Sequence, residues 1–355
     1  MQTPSKKMTA ALLSGASLAA LTASAVSLRQ VYYRRPDLFP SQRPWMNLPE
    51  PGSPLKVGIV YNPSKERAQA ALNIVYRTLS EAGWEPAKLY ETKVDDPGFS
   101  MAQQAVKEGA ELVLAVGGDG TVREVASALK GSDIPLGIVP MGTGNLLARN
   151  MGYEVWDTSS CVHFALFGQE HTIDMIHLVS KLTNGKTDQR DFLVMGGAGF
   201  DAQIMTDTDP KLKSMIGGAA YFLAAGKHLL ARRSPVLITI DDGPTFGRKM
   251  RGVLIANCGE IQGGINIASQ TSAKDGQLEV IILAPRTLLS WAALSLRIMT
   301  RRYRSTPILD HKMGSRVKMD FLKHPQPIEV DGDIIGEAKE LEAEVLPKVL
   351  RVHAP

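Results

Sequence analysis

The chain has 355 residues, of which 44% are hydrophobic and 21% charged, which is typical of a globular protein of about two domains and excludes a disordered or fibrous chain. Cys161 and Cys258 are its only cysteines, so a disulfide framework and a C-x-x-C metal site are excluded. Residues 1–36 carry five basic residues and no acidic one, which leaves 35 basic and 36 acidic residues in the rest. A nearly neutral body lacks the basic surface that nucleic acid requires, so we expect no nucleic-acid partner.

The first predicted element is an uncharged segment, residues 8–28, within the basic region 1–36. As a helix it would span about 31 Å, close to the thickness of a bilayer core. We expect a membrane anchor that holds the following domain in the cytoplasm, because more basic residues follow the segment than precede it. A cleaved signal or transit peptide, which is also rich in Ala and Ser, remains the alternative. Six prolines between residues 36 and 54 predict a linker over residues 37–54.

From residue 55 to about residue 173, short apolar runs alternate with amphipathic segments. This order predicts βαβ units around a parallel sheet. The predicted strands cover residues 56–61, 86–92, 111–116 and 135–140, and the predicted helices cover residues 68–82, 101–108 and 121–129. Residues 55–173 should therefore form a Rossmann-like α/β domain.

The remaining residues, 174–355, are rich in β-strand patterns. Predicted strands cover residues 191–195, 236–240, 250–258 and 278–283, with Gly and Asp-Gly turns between them. Two apolar helices, 211–233 and 287–304, end in basic residues, as the helix dipole favours. The stretch 215–230 is either a core helix or a surface that rests on an anionic membrane. We expect a second, mostly antiparallel domain, part of which can pack back on the first.

The chemistry begins where the predicted strand ending at Val116 runs into Gly117-Gly118-Asp119-Gly120-Thr121 and then into a helix. Glycines let backbone N–H groups approach an anion closely, and a helix N-terminus adds positive potential, so we expect a phosphate here. Asp119 would repel a bare anion, which indicates a metal ion, a bound water or a hydroxyl group to be deprotonated. A tight turn that uses Gly and Asp only for their conformations is the alternative.

A second glycine turn, Pro140-Met141-Gly142-Thr143-Gly144-Asn145, follows the next predicted strand. Neighbouring parallel strands would place both turns at the same edge of the sheet, where such sheets bind ligands. The first turn has neither the lysine of the P-loop nor the spacing of the dinucleotide fingerprint. The pair therefore predicts another class of phosphate site.

In order and spacing, the two turns resemble those of the diacylglycerol kinase and sphingosine kinase superfamily, specifically its soluble bacterial-type lipid kinases. The resemblance covers residues 56–350. Its further elements are Asn62-Pro63, Gly197-Ala198-Gly199-Phe200-Asp201-Ala202, Asn257 with Gly263-Gly264, Asp275-Gly276-Gln277-Leu278 and Asp331-Gly332-Asp333.

The resemblance implies transfer of the γ-phosphate of ATP to a lipid hydroxyl with Mg²⁺, the expected acceptor being diacylglycerol or a related acylglycerol, which gives phosphatidic acid. It implies that Asp333 is the base that accepts the hydroxyl proton and that Asp119 binds Mg²⁺ through water or positions the hydroxyl. Chemistry alone does not rank the two aspartates. A plain hairpin turn is the alternative for the Asp-Gly pair that precedes Asp333.

The resemblance also implies two sets of binding residues. Those that contact ATP are Asn62, Thr92, Gly117, Gly118, Asp119, Gly120, Thr121, Val122, Arg123, Gly142, Thr143 and Asn145. Asp275, with Ser272 and Gln277, is the expected second, structural Mg²⁺ turn, and a solvent-facing hairpin is its alternative. The chain departs from the family at Leu146, where many members have aspartate, and at Ser269, where proline is usual; the first departure leaves the acceptor unassigned.

Three other functions remain open. A sphingoid-base kinase, from the same superfamily, is the first alternative. NAD kinase shares Gly-Gly-Asp-Gly-Thr but differs in the second turn, and a non-catalytic relative would bind lipid without turnover. We expect a lipid substrate and a membrane surface as partners, and a homodimer is one of the assemblies that the sequence leaves open.

Overall fold

The computed structural model of the chain describes residues 50–199, 233–261, 265–268, 271–300 and 305–355. Several predicted features lie outside these residues: the segment 1–36 with most of the linker, the helix 211–233 except its last residue, residues 200–202 and 301–304, Gly263-Gly264 and Ser269. Among the described residues, no helix has the length and apolar character that crossing a membrane requires.

Residues 57–140 form alternating strands and helices around parallel strands. The elements are β1 Val57–Tyr61, α1 Ala68–Glu81, β2 Lys88–Glu91, α2 Phe99–Lys107, β3 Leu112–Gly117, α3 Asp119–Leu129 and β4 Leu136–Pro140. β1 pairs in parallel with β2 and β3, and β3 pairs in parallel with β4. All of β3 and β4 is buried, which explains their continuous apolar sequences. The predicted βαβ order is confirmed.

Two helices follow β4 and lead to the second half: α4 Leu146–Asn150 and α5 Thr158–Phe167. Asp157 caps α5, because its carboxylate accepts a hydrogen bond from the Ser160 N–H at 3.1 Å. The sequence pattern does not predict α5. Most of its residues are buried, so its sequence lacks the polar face by which helices are recognised.

The described residues of the second half form mainly antiparallel strands and a twelve-residue helix. The strands are β5 Gln169–Leu182, β6 Thr187–Phe192, β7 Met195–Gly199, β8 Ser234–Ile240, β9 Phe246–Met250, β10 Gly252–Ala256, β11 Glu260–Ile261, β12 Ile265–Asn266, β13 Leu278–Leu283, β14 Leu309–Gly314, β15 Arg316–Phe321, β16 Gln326–Val330 and β17 Asp333–Ala354, and the helix is α6 Leu288–Met299. The fold class expected from the sequence, parallel α/β followed by mostly antiparallel β, is confirmed.

The last strand, β17, joins the two halves into one sheet. Most of β17 pairs in antiparallel fashion with β5, and near its end Val352 lies beside Leu136 of β4 in parallel. Along its main path, the sheet has the order β14-β13-β10-β7-β16-β17-β4-β3-β1-β2. The nucleotide-type half and the β-rich half therefore share a continuous sheet.

Two predicted strands are wrong in their limits. The predicted strand 191–195 spans the break between β6 and β7, where the N–H groups of Leu193, Val194 and Met195 donate to the Asp331 carboxylate at 3.0–3.1 Å. The predicted strand 250–258 is divided at Arg251, between β9 and β10.

Candidate active site

The two glycine turns touch at the edge of the sheet where β3 and β4 end. The Met141 N–H donates to the Gly117 carbonyl at 2.7 Å. A Cβ atom on Gly142 would lie 2.8 Å from the Gly118 Cα atom, closer than carbon atoms can approach. Neighbouring parallel strands thus bring the turns together, and only glycine at position 142 permits the contact.

The first turn leads directly into α3 and has no room for a side chain at Gly117. A Cβ atom on Gly117 would lie 2.5 Å from the Thr121 Cβ atom, and Thr121 itself is buried. α3 begins at Asp119, and the Val122 N–H is bonded to the Gly118 carbonyl at 3.0 Å. The N–H groups of residues 119–121 precede this bond, in the part of a helix that binds anions. Residues 117–121 therefore form a cradle that fits a phosphate group.

Asp119 joins the first turn to the second. Its two carboxylate oxygens accept hydrogen bonds from the N–H groups of Asn145, at 2.8 Å, and Leu146, at 2.5 Å. Burial raises the pKa of the Asp119 carboxyl above its ordinary value, and the charge of Asp331 adds to the rise, while the two N–H groups oppose it. Asp119 thus connects the turns as well as lying beside the cradle.

Asn145 closes the second turn in a left-handed conformation, with φ 50° and ψ 48°. Its side-chain oxygen accepts a hydrogen bond from the Gly142 N–H, and its amide donates to the Gly142 carbonyl, both at 2.8 Å. Asparagine tolerates this backbone region better than most residues, so one residue supplies both the conformation and the bonds.

Asp333 reaches the first turn from the second half of the chain. The Arg123 guanidinium donates to the Asp333 carboxylate at 2.8 Å and to the Val330 carbonyl at 3.2 Å. The Asp333 carboxylate lies 3.6 Å from where a Cβ atom on Gly120 would be. The Arg123 side chain is 5% exposed and that of Asp333 is 56% exposed, so a buried cation holds a solvent-accessible carboxylate beside the cradle.

The turn before Asp333 is also fixed. Asp331 and Gly332 have φ angles of 44° and 91° and connect β16 to β17 as a two-residue hairpin. The buried Asp331 carboxylate accepts the three N–H groups of residues 193–195. Burial raises the pKa of Asp331, and the charge of Arg123 and these N–H groups oppose the rise. The hairpin interpretation of Asp-Gly is therefore confirmed, and it coexists with the placement of Asp333 at the cradle.

The other expected ATP contacts lie at the ends of β1 and β2. The Asn62 N–H donates to the Val116 carbonyl at 3.0 Å, and its side-chain oxygen accepts bonds from the Ser64 N–H and hydroxyl. The buried Thr92 donates its N–H to the Tyr61 carbonyl at 3.0 Å. Both lie at the carboxyl edge of the sheet, and their contact with ATP stays a prediction.

Lys65 is a candidate that the sequence analysis misses. Its Cε atom lies 3.9 Å from where a Cβ atom on Gly118 would be, so its ammonium group can reach the cradle. The signal in the sequence is a lysine three residues after Asn62, in the turn that follows the first strand. A cation there complements phosphate charge.

The expected Mg²⁺ turn at Asp275 is a tight loop. The Asp275 carboxylate accepts hydrogen bonds from the N–H groups of Ser272 and Gln277, both at 2.9 Å, so these residues offer donors to Asp275. The Gly276 N–H donates to Asp174 at 2.7 Å. In the part of the chain that the structure describes, no cluster of three or more Asp, Glu, His or Cys residues could hold a metal ion. The second Mg²⁺ site stays a prediction.

An open parallel sheet with two touching glycine turns, a helix N-terminus and a carboxylate held beside it defines a nucleotide-dependent phosphotransferase. Residues 56–178 match the family model of the diacylglycerol kinase catalytic domain, and residues 195–354 match that of the YegS C-terminal NAD kinase beta sandwich-like domain. The chain therefore belongs to the diacylglycerol kinase family of lipid kinases, which use ATP.

Known relatives agree with the family. A diacylglycerol kinase of Bacillus subtilis is 28% identical over 287 residues, 78% of this chain and 89% of the relative. A diacylglycerol kinase of Staphylococcus saprophyticus is 26% identical over 284 residues, 79% of this chain and 89% of the relative. A crystal structure of a diacylglycerol kinase from Bacillus anthracis superposes with a TM-score of 0.68 at 20% identity, covering 86% of this chain and 98% of that one, which supports the fold.

Proposed function

We propose that this chain transfers the γ-phosphate of ATP to the hydroxyl group of diacylglycerol or a related acylglycerol, giving phosphatidic acid or its analogue. Two curated relatives named diacylglycerol kinase support this acceptor. The observation that carries the proposal is the exposed Asp333 carboxylate, held by Arg123 at 2.8 Å beside the glycine cradle. A phosphoryl acceptor needs a base at this place.

The N–H groups of residues 119–121 and the glycine turns bind the phosphates of ATP, and Lys65 adds a positive charge. Mg²⁺, when bound, would neutralise charge on the phosphate oxygens. Asp333 accepts the proton of the acceptor hydroxyl. At the same time the oxygen of that hydroxyl forms a bond to the γ-phosphorus, and the bond between this phosphorus and the bridging oxygen of the leaving ADP breaks. Arg123 keeps the Asp333 carboxylate in place during this transfer.

Two sites would hold Mg²⁺ in this proposal. Asp119 has both oxygens bonded to N–H groups, and the remaining lone pairs of a carboxylate permit contact with a hydrated ion. The turn at Asp275, with Ser272 and Gln277, would hold a second ion that stabilises the loop. Oxygen ligands and retained water molecules are what Mg²⁺ prefers.

One assay tests the acceptor. The purified protein is incubated with labelled ATP, Mg²⁺ and, separately, diacylglycerol, monoacylglycerol, sphingoid base, phosphatidylglycerol and NAD. We expect label in the acylglycerol product. Label only in the phosphorylated sphingoid base would show that the acceptor is a sphingoid base and not an acylglycerol. Label only in NADP would refute the lipid kinase function, and no label in any product would indicate a non-catalytic relative.

We further propose that the protein works at the cytoplasmic face of a membrane, anchored by residues 8–28. Deletion of residues 1–36 should lower the share of the protein in the membrane fraction and leave its turnover of dispersed lipid unchanged, because the described site contains none of these residues. Undiminished membrane partition of the deleted protein would contradict the anchor.

A further inference from the structure

Helix α6 carries an apolar face that stays exposed. Leu289 is 81% exposed and Leu296 is 59% exposed, and Ala292 and Ala293 between them are exposed as well. Their spacing of three, four and seven residues places all four on one face of the helix. Another face packs inward, with Leu294 buried in the core. The helix thus has one apolar face that packs in the core and a second apolar face that is exposed.

The sequence around this face is basic. From Val280 to Leu309 the chain contains no acidic residue and five arginines, Arg286, Arg297, Arg301, Arg302 and Arg304. Arg286 is exposed before the helix, and Arg297 is partly exposed in its last turn. Leucines bordered by arginines match the two layers of an anionic bilayer surface, since leucine enters the acyl region and arginine binds headgroup phosphate.

A series of packed elements links the helix to the candidate active site. α6 contacts β12, which pairs with β11, and β11 contacts α4. Asn150, at the end of α4, donates to the Glu260 carbonyl at 2.8 Å and accepts from the Glu260 N–H at 2.9 Å. α4 begins directly after Asn145, the last residue of the second glycine turn. Packed elements therefore connect the exposed face of α6 to the cradle.

We propose that the face formed by Leu289, Ala292, Ala293 and Leu296 docks in the plane of an anionic lipid bilayer. The purpose of this docking rests on the proposed lipid kinase function, because it brings the cradle to the surface in which the acceptor is dissolved. The twelve-residue helix is about 18 Å long, too short to cross a bilayer core, so it lies along the interface.

A local probe separates this contact from any contribution of residues 8–28. Cys161 and Cys258 are buried, and burial raises the pKa of each thiol to about 12, so a maleimide reagent labels an introduced cysteine selectively. The full-length Ala293→Cys variant carries the polarity-sensitive fluorophore NBD. The matched control is Leu322→Cys, at a leucine that is 57% exposed and precedes Lys323.

Vesicles of phosphatidylglycerol and phosphatidylcholine should increase the emission of the label at position 293 and shift it to the blue, and leave the label at position 322 unchanged. Phosphatidylcholine alone should give a weaker response. With the label at position 293, the double change Leu289→Ser and Leu296→Ser should raise the lipid concentration at half-maximal response about tenfold or more, since burial of one leucine contributes about that factor.

Unchanged emission at position 293 while the protein sediments with vesicles overturns the proposal. Blue-shifted emission before vesicles are added also overturns it: dependence on protein concentration identifies a second copy as the occupant, and independence identifies another part of the chain. If the vesicle response is present but no lipid is phosphorylated, the proposed function fails and the docking surface stands.

Discussion

At the scale of single residues, the site depends on carboxylates that come from distant parts of the chain. Asp119 starts α3, and Asp333 starts β17, yet both lie at the same glycine turn. The hydrogen bond from Arg123 to Asp333 spans 210 positions of sequence. Asp119 has both oxygens bonded to backbone N–H groups, whereas Asp333 is exposed, and this difference favours Asp333 as the base.

We predict that Asp333→Asn lowers kcat about 10²–10⁴-fold, because an amide cannot accept the hydroxyl proton. ATP affinity should change little, since the cradle is built from the two glycine turns. Asp242→Asn, at an exposed aspartate in the turn between β8 and β9, is the control and should have wild-type turnover. Steady-state kinetics and ATP titration check this, and unchanged turnover in Asp333→Asn would contradict the assignment of the base.

Gly142→Ala should weaken ATP binding more than it affects folding. The new Cβ atom would lie 2.8 Å from the Gly118 Cα atom and push the two turns apart, with a stability cost of about 1–3 kcal/mol. The control is Gly247→Ala, whose Cβ atom would meet only Leu237 at 3.7 Å. Calorimetric ATP titration and urea denaturation measure both effects. Equal ATP affinity in the two variants would show that contact between the turns is not needed for binding.

The sequence indicates the glycine turns because each follows a buried strand directly, a local pattern. The role of Asp333 comes only from a resemblance, because its distance from Arg123 depends on how the β16–β17 hairpin meets α3. Lys65 escapes notice for a similar reason. Its approach to Gly118 depends on the turn after β1, and a single lysine in a loop carries no pattern.

At the scale of elements, the sequence predicts those whose partners are close in the chain. Each βαβ unit of residues 57–140 shows both its strand and its helix pattern within a short window. The sequence pattern does not predict the strand β17 beyond its first residue, Asp333. It has 22 residues and pairs with β5, β15 and β16, and a bulge containing Lys348 in a left-handed conformation interrupts its pattern.

The contact between β2 and α2 gives a pH-dependent prediction. Glu108 accepts a hydrogen bond from Tyr90 and pairs with Lys88, each at 2.6 Å, and these partners, with Lys88 the largest influence, lower its pKa to about 2. A lowered pKa means that the stabilisation is present above the unfolded value of 4.5 and is lost as the pH falls toward 2.

Glu108→Gln should therefore lower Tm slightly at pH 7, and the difference from the wild type should shrink below pH 4.5. Glu81→Gln is the control, because the pair of Glu81 with Arg77 is exposed and 3.9 Å long, so this change should lower Tm less at pH 7. Thermal unfolding followed by circular dichroism between pH 3 and pH 8 measures both. A difference that grows as the pH falls would contradict the assigned direction of the pKa shift.

At the scale of the whole molecule, β17 determines how the two halves are connected. Its first residue, Asp333, lies at the cradle, and its last residues lie beside β4. There the Tyr153 hydroxyl donates to the His353 carbonyl at 2.5 Å, and His353 contacts the Ala165 carbonyl of α5 at 3.1 Å. Asp333, the proposed base, and the junction of the halves are thus parts of the same strand, so loosening the junction should also affect the cradle.

Leu350→Ala tests this connection. Leu350 is fully buried in the core that contains Leu136 and Val352, so its truncation should lower the free energy of unfolding by about 2–5 kcal/mol. Leu322→Ala, at an exposed leucine, should have little effect. Because one sheet includes both halves, hydrogen exchange of peptides from β1 and from β15 should become faster together in urea, at the midpoint seen by circular dichroism. Faster exchange in β15 alone would show that the halves unfold independently and that β17 does not couple the junction to the site.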